Sequence, residues 1–378
     1  MSNESYGNKT GCLYSATDKA IYDALQQHKV TKEDLKDLFF KRGMVISNST
    51  LKERLADSFS MYLHGYEDYD QLSKILGTTS RKERAHSYNI ISAEIEQDDV
   101  ISILGELKSE FSDNNNDIVD FNVTKGTIIL KIQYTEPDFT KSEFRQLVDK
   151  DAEVIITRIN DGFNIIGPYN KKMSEFTDAL LSKIESIDPT AKKDEINLTA
   201  VTNHSVITSF FDGLTSTMEG YTLYSVTDVF VYNPDDDTGT GTHIKKASLS
   251  GTGVTLSSEL ASLSKKGFYI WKIVWTAVDD RYLNSDIYEF EAQFSEPDSR
   301  SEFAFLIRGY YKKKEEGDDT ESSDTGHSKN RVNLSKNEEV KFYRLIDKTA
   351  RSVLAKINGI NPVANDDEGD NEDDDVAV

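Results

Sequence analysis

The chain has 378 residues, with 66 acidic and 44 basic side chains, a net charge of −22, and 37% apolar and 10% aromatic residues. That length accommodates two or three domains with real cores, and the apolar content excludes a chain too polar to fold. A single cysteine, Cys12, excludes an internal disulfide and a multi-cysteine zinc site. No apolar run approaches the ~20 residues of a membrane span, and the first residues lack the basic and apolar regions of a signal peptide, so a cytoplasmic protein with no membrane partner is expected.

Residues 1–15 read as a flexible N-terminus and 16–86 as a small helical domain. Thr17 is the expected N-cap of a first helix whose apolar face holds Ala20, Ile21 and Leu25. Thr31 and Asp34 have capping-box spacing; Leu35, Leu38 and Phe39 form the stripe of the second helix, and Gly43 closes it. Ser49 or Thr50 is expected to cap a third, carrying Leu51, Leu55, Phe59 and Tyr62, and a short fourth runs over 70–76. From Lys29 to His86 eleven bases face nine acids, a balance of +2 against −24 for the rest. A polyanion would therefore meet this segment first, at Lys41, Arg42, Lys52, Arg54, Arg81, Lys82 and Arg84.

Leu35-Lys36, Phe39, Arg42-Gly43-Met44, Ser47 and Leu51-Lys52-Glu53-Arg54-Leu55 together resemble a SAP-type helix–extended loop–helix module. Members of that family hold the DNA or RNA backbone with the second helix and the loop before it. The resemblance thus implies weak, sequence-independent nucleic-acid binding by this segment. Where the family places Gly-x-Lys before the second helix, this chain has Asn48-Ser49-Thr50.

Further along, IQYTEPDFTKSEFRQL at 132–147 and AQFSEPDSRSEFAFL at 292–306 share one frame. Its members are Glu136, Pro137, Asp138, Glu143 and Phe144 in the first copy, and Glu296, Pro297, Asp298, Glu302 and Phe303 in the second. The frame divides the chain into a first α+β repeat, 87–190, and a second, 191–360, with insertions at 235–266 and 315–330. Alternating apolar positions place strands at 88–95, 127–134, 152–159 and 163–166, with helices at 98–111 and 173–184. In the second copy strands are expected at 196–201, 287–294 and 303–311, with helices at 204–218 and 340–357. The fold class is therefore α+β: a helical N-terminal domain, then a duplicated strand–helix–four-strand–helix unit with antiparallel sheet. In element order alone the unit resembles half of the TATA-box-binding-protein-like fold, which implies a curved sheet with helices on one face. Residues 361–378, with eight acids between 366 and 375, read as an acidic disordered tail, and 315–330 reads as mobile for the same lack of apolar anchors.

Chemistry-bearing patterns are sparse. Second-copy strands carry Asp228, Glu289 and Glu291 beside Tyr224, Tyr232, Trp271 and Trp275; the carboxylates would repel duplex phosphates, while about half of the aromatics are expected in the core and the others offer stacking surfaces. Pro137-Asp138 followed by Glu153-Val154-Ile155 is similar to the PD-(D/E)xK nuclease pattern, with Ile155 where Lys should stand. The six histidines show no metal-ligand spacing, Asp235-Asp236-Asp237 lacks EF-hand spacing, and Gly239, Gly241, Gly251 and Gly253 lack a following Gly-Lys. These features lead to a non-enzymatic adaptor or assembly protein without cofactor or metal. It would dock a protein partner through its α+β scaffold and touch DNA or RNA through its N-terminal module. The alternatives are a metal-dependent nuclease or other enzyme subunit acting through Glu136, Asp138, Glu143 and their second-copy counterparts Glu296, Asp298 and Glu302, and a purely structural protein.

Overall fold

The computed structural model describes residues 17–76, 82–92, 94–115, 117–124, 126–137, 144, 147–234, 244–282, 285–314 and 326–360. The fold is α+β, with nine α-helices and eleven strands among the described residues. Contacts divide it into two compact units, one of Met1–Glu83, Ile95–Ile155 and Phe176–Ile184, the other of Arg84–Glu94, Ile156–Glu175 and Glu185–Val378.

The first unit begins with four short helices: α1 (Asp18–Gln26), α2 (Lys32–Lys41), α3 (Lys52–Ser60) and α4 (Tyr66–Leu76). Thr17 accepts a hydrogen bond from the Ala20 amide and so caps α1. Thr31 and Asp34 form the expected reciprocal capping box at the start of α2. The start of α3 differs from expectation. Leu51 occupies the N-cap without a side-chain hydrogen bond, because Ser47 and Ser49 bond each other in the loop instead. Ile21, Leu25, Leu35, Leu38, Phe39, Leu55, Phe59, Leu72 and Leu76 form one core, and Phe144 of the first motif packs into it. The Phe144 ring stacks on Tyr69 at 5.0 Å, and its carbonyl accepts from Ser73. This unit also holds α5 (Gln97–Asn115), β2 (Ile118–Thr124) and β3 (Thr127–Pro137), the last two paired antiparallel from Ile118↔Gln133 to Thr124↔Thr127. β4 (Leu147–Ile159) and α6 (Lys171–Ile187) have residues in both units.

The second unit is built on a sheet of strand order β5-β1-β11-β10-β9-β7-β8. Its strands are β1 (Ala85–Ile91), β5 (Gly162–Pro168), β7 (Tyr221–Tyr232), β8 (Lys246–Ser250), β9 (Tyr269–Asp279), β10 (Ile287–Glu296) and β11 (Ser301–Tyr311). One face of the sheet packs on α7 (His204–Ser216) and α9 (Lys336–Ile360). Phe290, Ala292 and Phe294 of β10 meet Phe210 and Phe211 of α7 and Phe342 of α9 in one apolar cluster. Strand alternation then sends Glu289, Glu291 and Gln293 to the opposite face. The region 235–266 supplies β8 and a short helix, α8 (Ser258–Lys265).

Three sequence expectations change here. No strand forms at 196–201; the pairing strand is β6 (Lys192–Glu195), which joins β1 from Tyr88↔Glu195 to Ile91↔Lys192. Ile196 and Leu198 instead use their side chains as loop anchors in the core, and the Leu198 amide bonds to the Arg300 carbonyl. Residues 326–330, expected to be mobile, run back along β11: His327 is buried and bridges to Lys313, and Val332 bridges to Tyr310. The two motif segments also occupy different places in the element order. The first follows β3 and precedes β4, with β5 still to come before α6, whereas the second joins β10 to β11, after which the next helix is α9. The shared frame is thus offset by one strand in element order.

The edge of β1 that faces away from β5 is divided. Ala85 and His86 pair with Phe305 and Ala304 of β11, while Tyr88 to Ile91 pair with β6. Ser87, between them, donates at 2.5 Å to buried Asp347 of α9, which also accepts from Asn164 and Arg351. Arg351 reaches on to Asp194 of β6 at 2.8 Å.

Candidate partner-binding surfaces

The basic residues of the helical module are mostly spent on holding the module together. Arg42 donates to the Leu63 carbonyl and, at 2.6 Å, to Asp68, and lies 4.7 Å over the Phe59 ring. Lys52 donates to the Gln27 carbonyl at 2.8 Å. Lys29, Lys32 and Lys36 likewise bond Leu76 and Asn48. Lys41 and Arg54 stay exposed. Arg81 lies outside the described residues, and Arg84 belongs to the other unit, where it binds Glu291. Of the seven cations expected to face a polyanion, Arg42, Lys52, Lys82 and Arg84 are therefore engaged within the chain.

Among the described residues no group of three His, Cys, Asp or Glu side chains could hold a metal ion, and of the first motif's carboxylates only Glu136 is described. Glu136 pairs with Lys150 at 2.5 Å, and Glu83 holds the same ammonium at 2.6 Å. Burial alone would lower the Lys150 pKa; the two carboxylates outweigh it and raise it. Asp138, Glu143, Cys12 and Asp235-Asp236-Asp237 lie outside the described residues.

The second motif is a tightly tied turn. Tyr269 donates to the Pro297 carbonyl at 2.7 Å and Tyr232 to Asp298 at 3.3 Å. Arg300 and Glu302 both adopt positive φ, 56° and 58°. Glu302 accepts from the Tyr169 hydroxyl, and burial together with this carboxylate pushes that phenol up to about 12. Phe303 sits in the core, and its carbonyl takes a 2.8 Å contact from His86 Nδ1. Glu296 is exposed.

The densest charge cluster was not foreseen. Glu291 is 1% exposed and Glu289 6%, on the sheet face turned away from α7 and α9. Glu291 accepts from Arg84 Nε at 2.7 Å, Lys272 at 2.8 Å, and Arg308 Nη2 at 2.6 Å. Glu289 accepts from Arg308 Nη1 at 3.0 Å, Arg331 at 2.7 Å and the Tyr311 hydroxyl at 3.0 Å. Two backbone features make these contacts. A bulge between Glu289 and Phe290 pairs them with Gly309 and Ile307, so Arg308 is the extra residue of β11 and reaches both carboxylates. Gly309, at φ 147°, lets the returning chain approach: a Cβ there would lie 2.4 Å from the Val332 carbonyl and 2.7 Å from Arg331 Cγ. That close approach delivers Arg331 to Glu289.

Burial would raise the Glu291 pKa, but Lys272 and Arg84 overcome it and hold the carboxyl at about 2. Lys272 is lowered by its own burial and by the neighbouring Arg84 and Arg308, a cation crowded by cations. Four bases thus surround two acids, a local surplus of two positive charges on a chain of net −22. This corrects the expectation that Glu289 and Glu291 present a repulsive anionic face. Trp275 and Tyr232 belong to the apolar core, as expected for about half of these aromatics, and Trp271 packs against it. Alternation along β10 carried the signal, since Glu289, Glu291 and Gln293 share one face.

Compared with protein-family models and with curated proteins, the chain matches none. No helix among the described residues is long and apolar enough to cross a membrane.

Proposed function

We propose that the chain is a non-enzymatic adaptor or assembly protein whose partner is a protein that docks on the polar face of β9, β10 and β11. The observation that carries this reading is the surplus of two positive charges around Glu289 and Glu291. The buried carboxylates fix Arg84, Arg308 and Arg331 in place, so their remaining N–H groups are preorganised for an incoming carboxylate, and little side-chain entropy is lost on binding. Arg331 is 41% exposed at its side chain, and Arg84 and Arg308 about a quarter, so the guanidinium groups are accessible to a partner. A protein partner with acidic side chains fits this face by charge complementarity.

The test is co-purification from nuclease-treated lysate with the intact chain and with Arg331→Glu, which removes one hydrogen bond and inverts the most accessible charge. A stoichiometric protein bound by the intact chain and lost from a folded Arg331→Glu variant is expected. A partner retained by that variant, or one released by nuclease treatment, overturns the reading.

A further inference from the structure

We infer that, without a partner, the polar face of β9–β11 is occupied by the chain's own acidic segment, residues 366–375, which makes the adaptor self-competing. The inference rests on the proposed docking face and adds its regulation. Charge complementarity selects the occupant. The segment carries eight acids in ten residues and no base, and the face is where four cations converge on the same two carboxylates. The helical module does not compete on equal terms, because Lys29, Lys32, Lys36, Arg42 and Lys52 are spent on Leu76, Asn48, Asp68 and Gln27 and do not converge on one point.

Reach selects it as well. α9 belongs to the same unit, and its Phe342 packs at 5.3 Å on Phe290, the residue between Glu289 and Glu291 on the other side of the sheet. From Phe342 to the end of α9 at Ile360 the helix rises about 27 Å. Residues 366–375 can extend roughly 20–50 Å beyond Ile360 at the contour length of a polypeptide. The outer part of that span covers the return of about 27 Å along the helix plus a sheet on the order of 10 Å thick, so the acids at 372–375 reach the face. Tethering then gives the segment an effective concentration on the order of millimolar, so a free acidic ligand must displace it.

The experiment titrates a labelled peptide of residues 363–378 against the intact chain and against a full-length variant with the eight acids replaced by Asn or Gln. Fluorescence anisotropy is read at several salt concentrations. The neutral-tail chain should bind the peptide, with affinity falling as salt rises, and the intact chain should bind it at least about tenfold more weakly. Adding Arg331→Ala to the neutral-tail chain should weaken binding several-fold, whereas Lys41→Ala with Arg54→Ala should leave it unchanged. Equal binding by intact and neutral-tail chains overturns self-occupancy while leaving the docking face in place. No binding by the neutral-tail chain at low salt also overturns self-occupancy, and the lysate experiment then judges the face alone. Binding that ignores Arg331→Ala, or that is lost with Lys41 and Arg54, places the anion site elsewhere and overturns both.

Discussion

The helical module and the polar sheet face use the same residue types to opposite ends. In the module single cations tie separate points: Arg42 crosses from α2 to Leu63 and to Asp68 of α4, and Lys52 reaches the chain between α1 and α2. On the sheet face, Arg84, Lys272, Arg308 and Arg331 converge on Glu289 and Glu291. The module has the basic composition, yet the concentrated charge lies on the sheet face, where three of the four cations come from the acidic remainder of the chain. Where bases lie in sequence says little about where positive potential lies in space; convergence through the fold decides it.

The contrast breaks first at Glu291. Replacing it with Ala leaves Lys272, Arg84 and part of Arg308 buried around nothing, which should cost about 3–5 kcal/mol of unfolding free energy in denaturant titrations. A loss below about 1 kcal/mol would mean that water, not the carboxylate, neutralises those cations. Next comes Gly309→Ala, which forces a Cβ against the Val332 carbonyl at a positive φ. A destabilisation of about 2 kcal/mol, with Arg331 freed from Glu289, is expected from the strained turn and the clash. The side-chain signal of Arg331 in NMR should report the release.

On the module side, Arg42→Ala should cost about 1–3 kcal/mol, since it removes a charge-assisted bond to Asp68 and the cover over Phe59. Lys41→Ala, one residue away and exposed, should stay within about 0.5 kcal/mol. Equal effects from the two would erase the distinction between tying and free cations. The gentlest probe is pH. Glu291 is held at about 2, and so is Glu195 of β6, through its bond to His86, against the opposing effect of burial, with Lys193 assisting. Both pKa values are depressed in the folded state, so their contribution is present above the ordinary glutamate value of 4.5 and lost as pH falls from there toward 2. The acid limb of the stability curve should flatten in Glu291→Gln.

Local patterns carried most of the architecture. The Thr31–Asp34 capping box, the Leu35, Leu38, Phe39 stripe and the alternation of β10 are each written within a few consecutive residues. The polar face is not, because its ion pairs join residues 17, 42 and 207 positions apart. A bulge and a glycine, neither with a linear signature, set the last contacts. β6 was misplaced for a related reason. Lys192-Lys193-Asp194-Glu195 has no apolar alternation, and its place is set by pairing to β1 and by Arg351 on α9. The Ile196 and Leu198 side chains that looked like a strand are loop anchors.

β1 offers one edge to two neighbours. β11 takes the Ala85 and His86 rungs, β6 takes those from Tyr88 to Ile91, and Ser87 is left to Asp347. The strand therefore works as a shared rail: one neighbour can lengthen its ladder only if the other retreats, and Ser87 marks the boundary. An insertion that lengthened β6 toward its Glu195 end would be felt first as fraying where β11 meets Ala85 and His86. Length along this rail is conserved between the two neighbours, so one strand's gain is the other's loss.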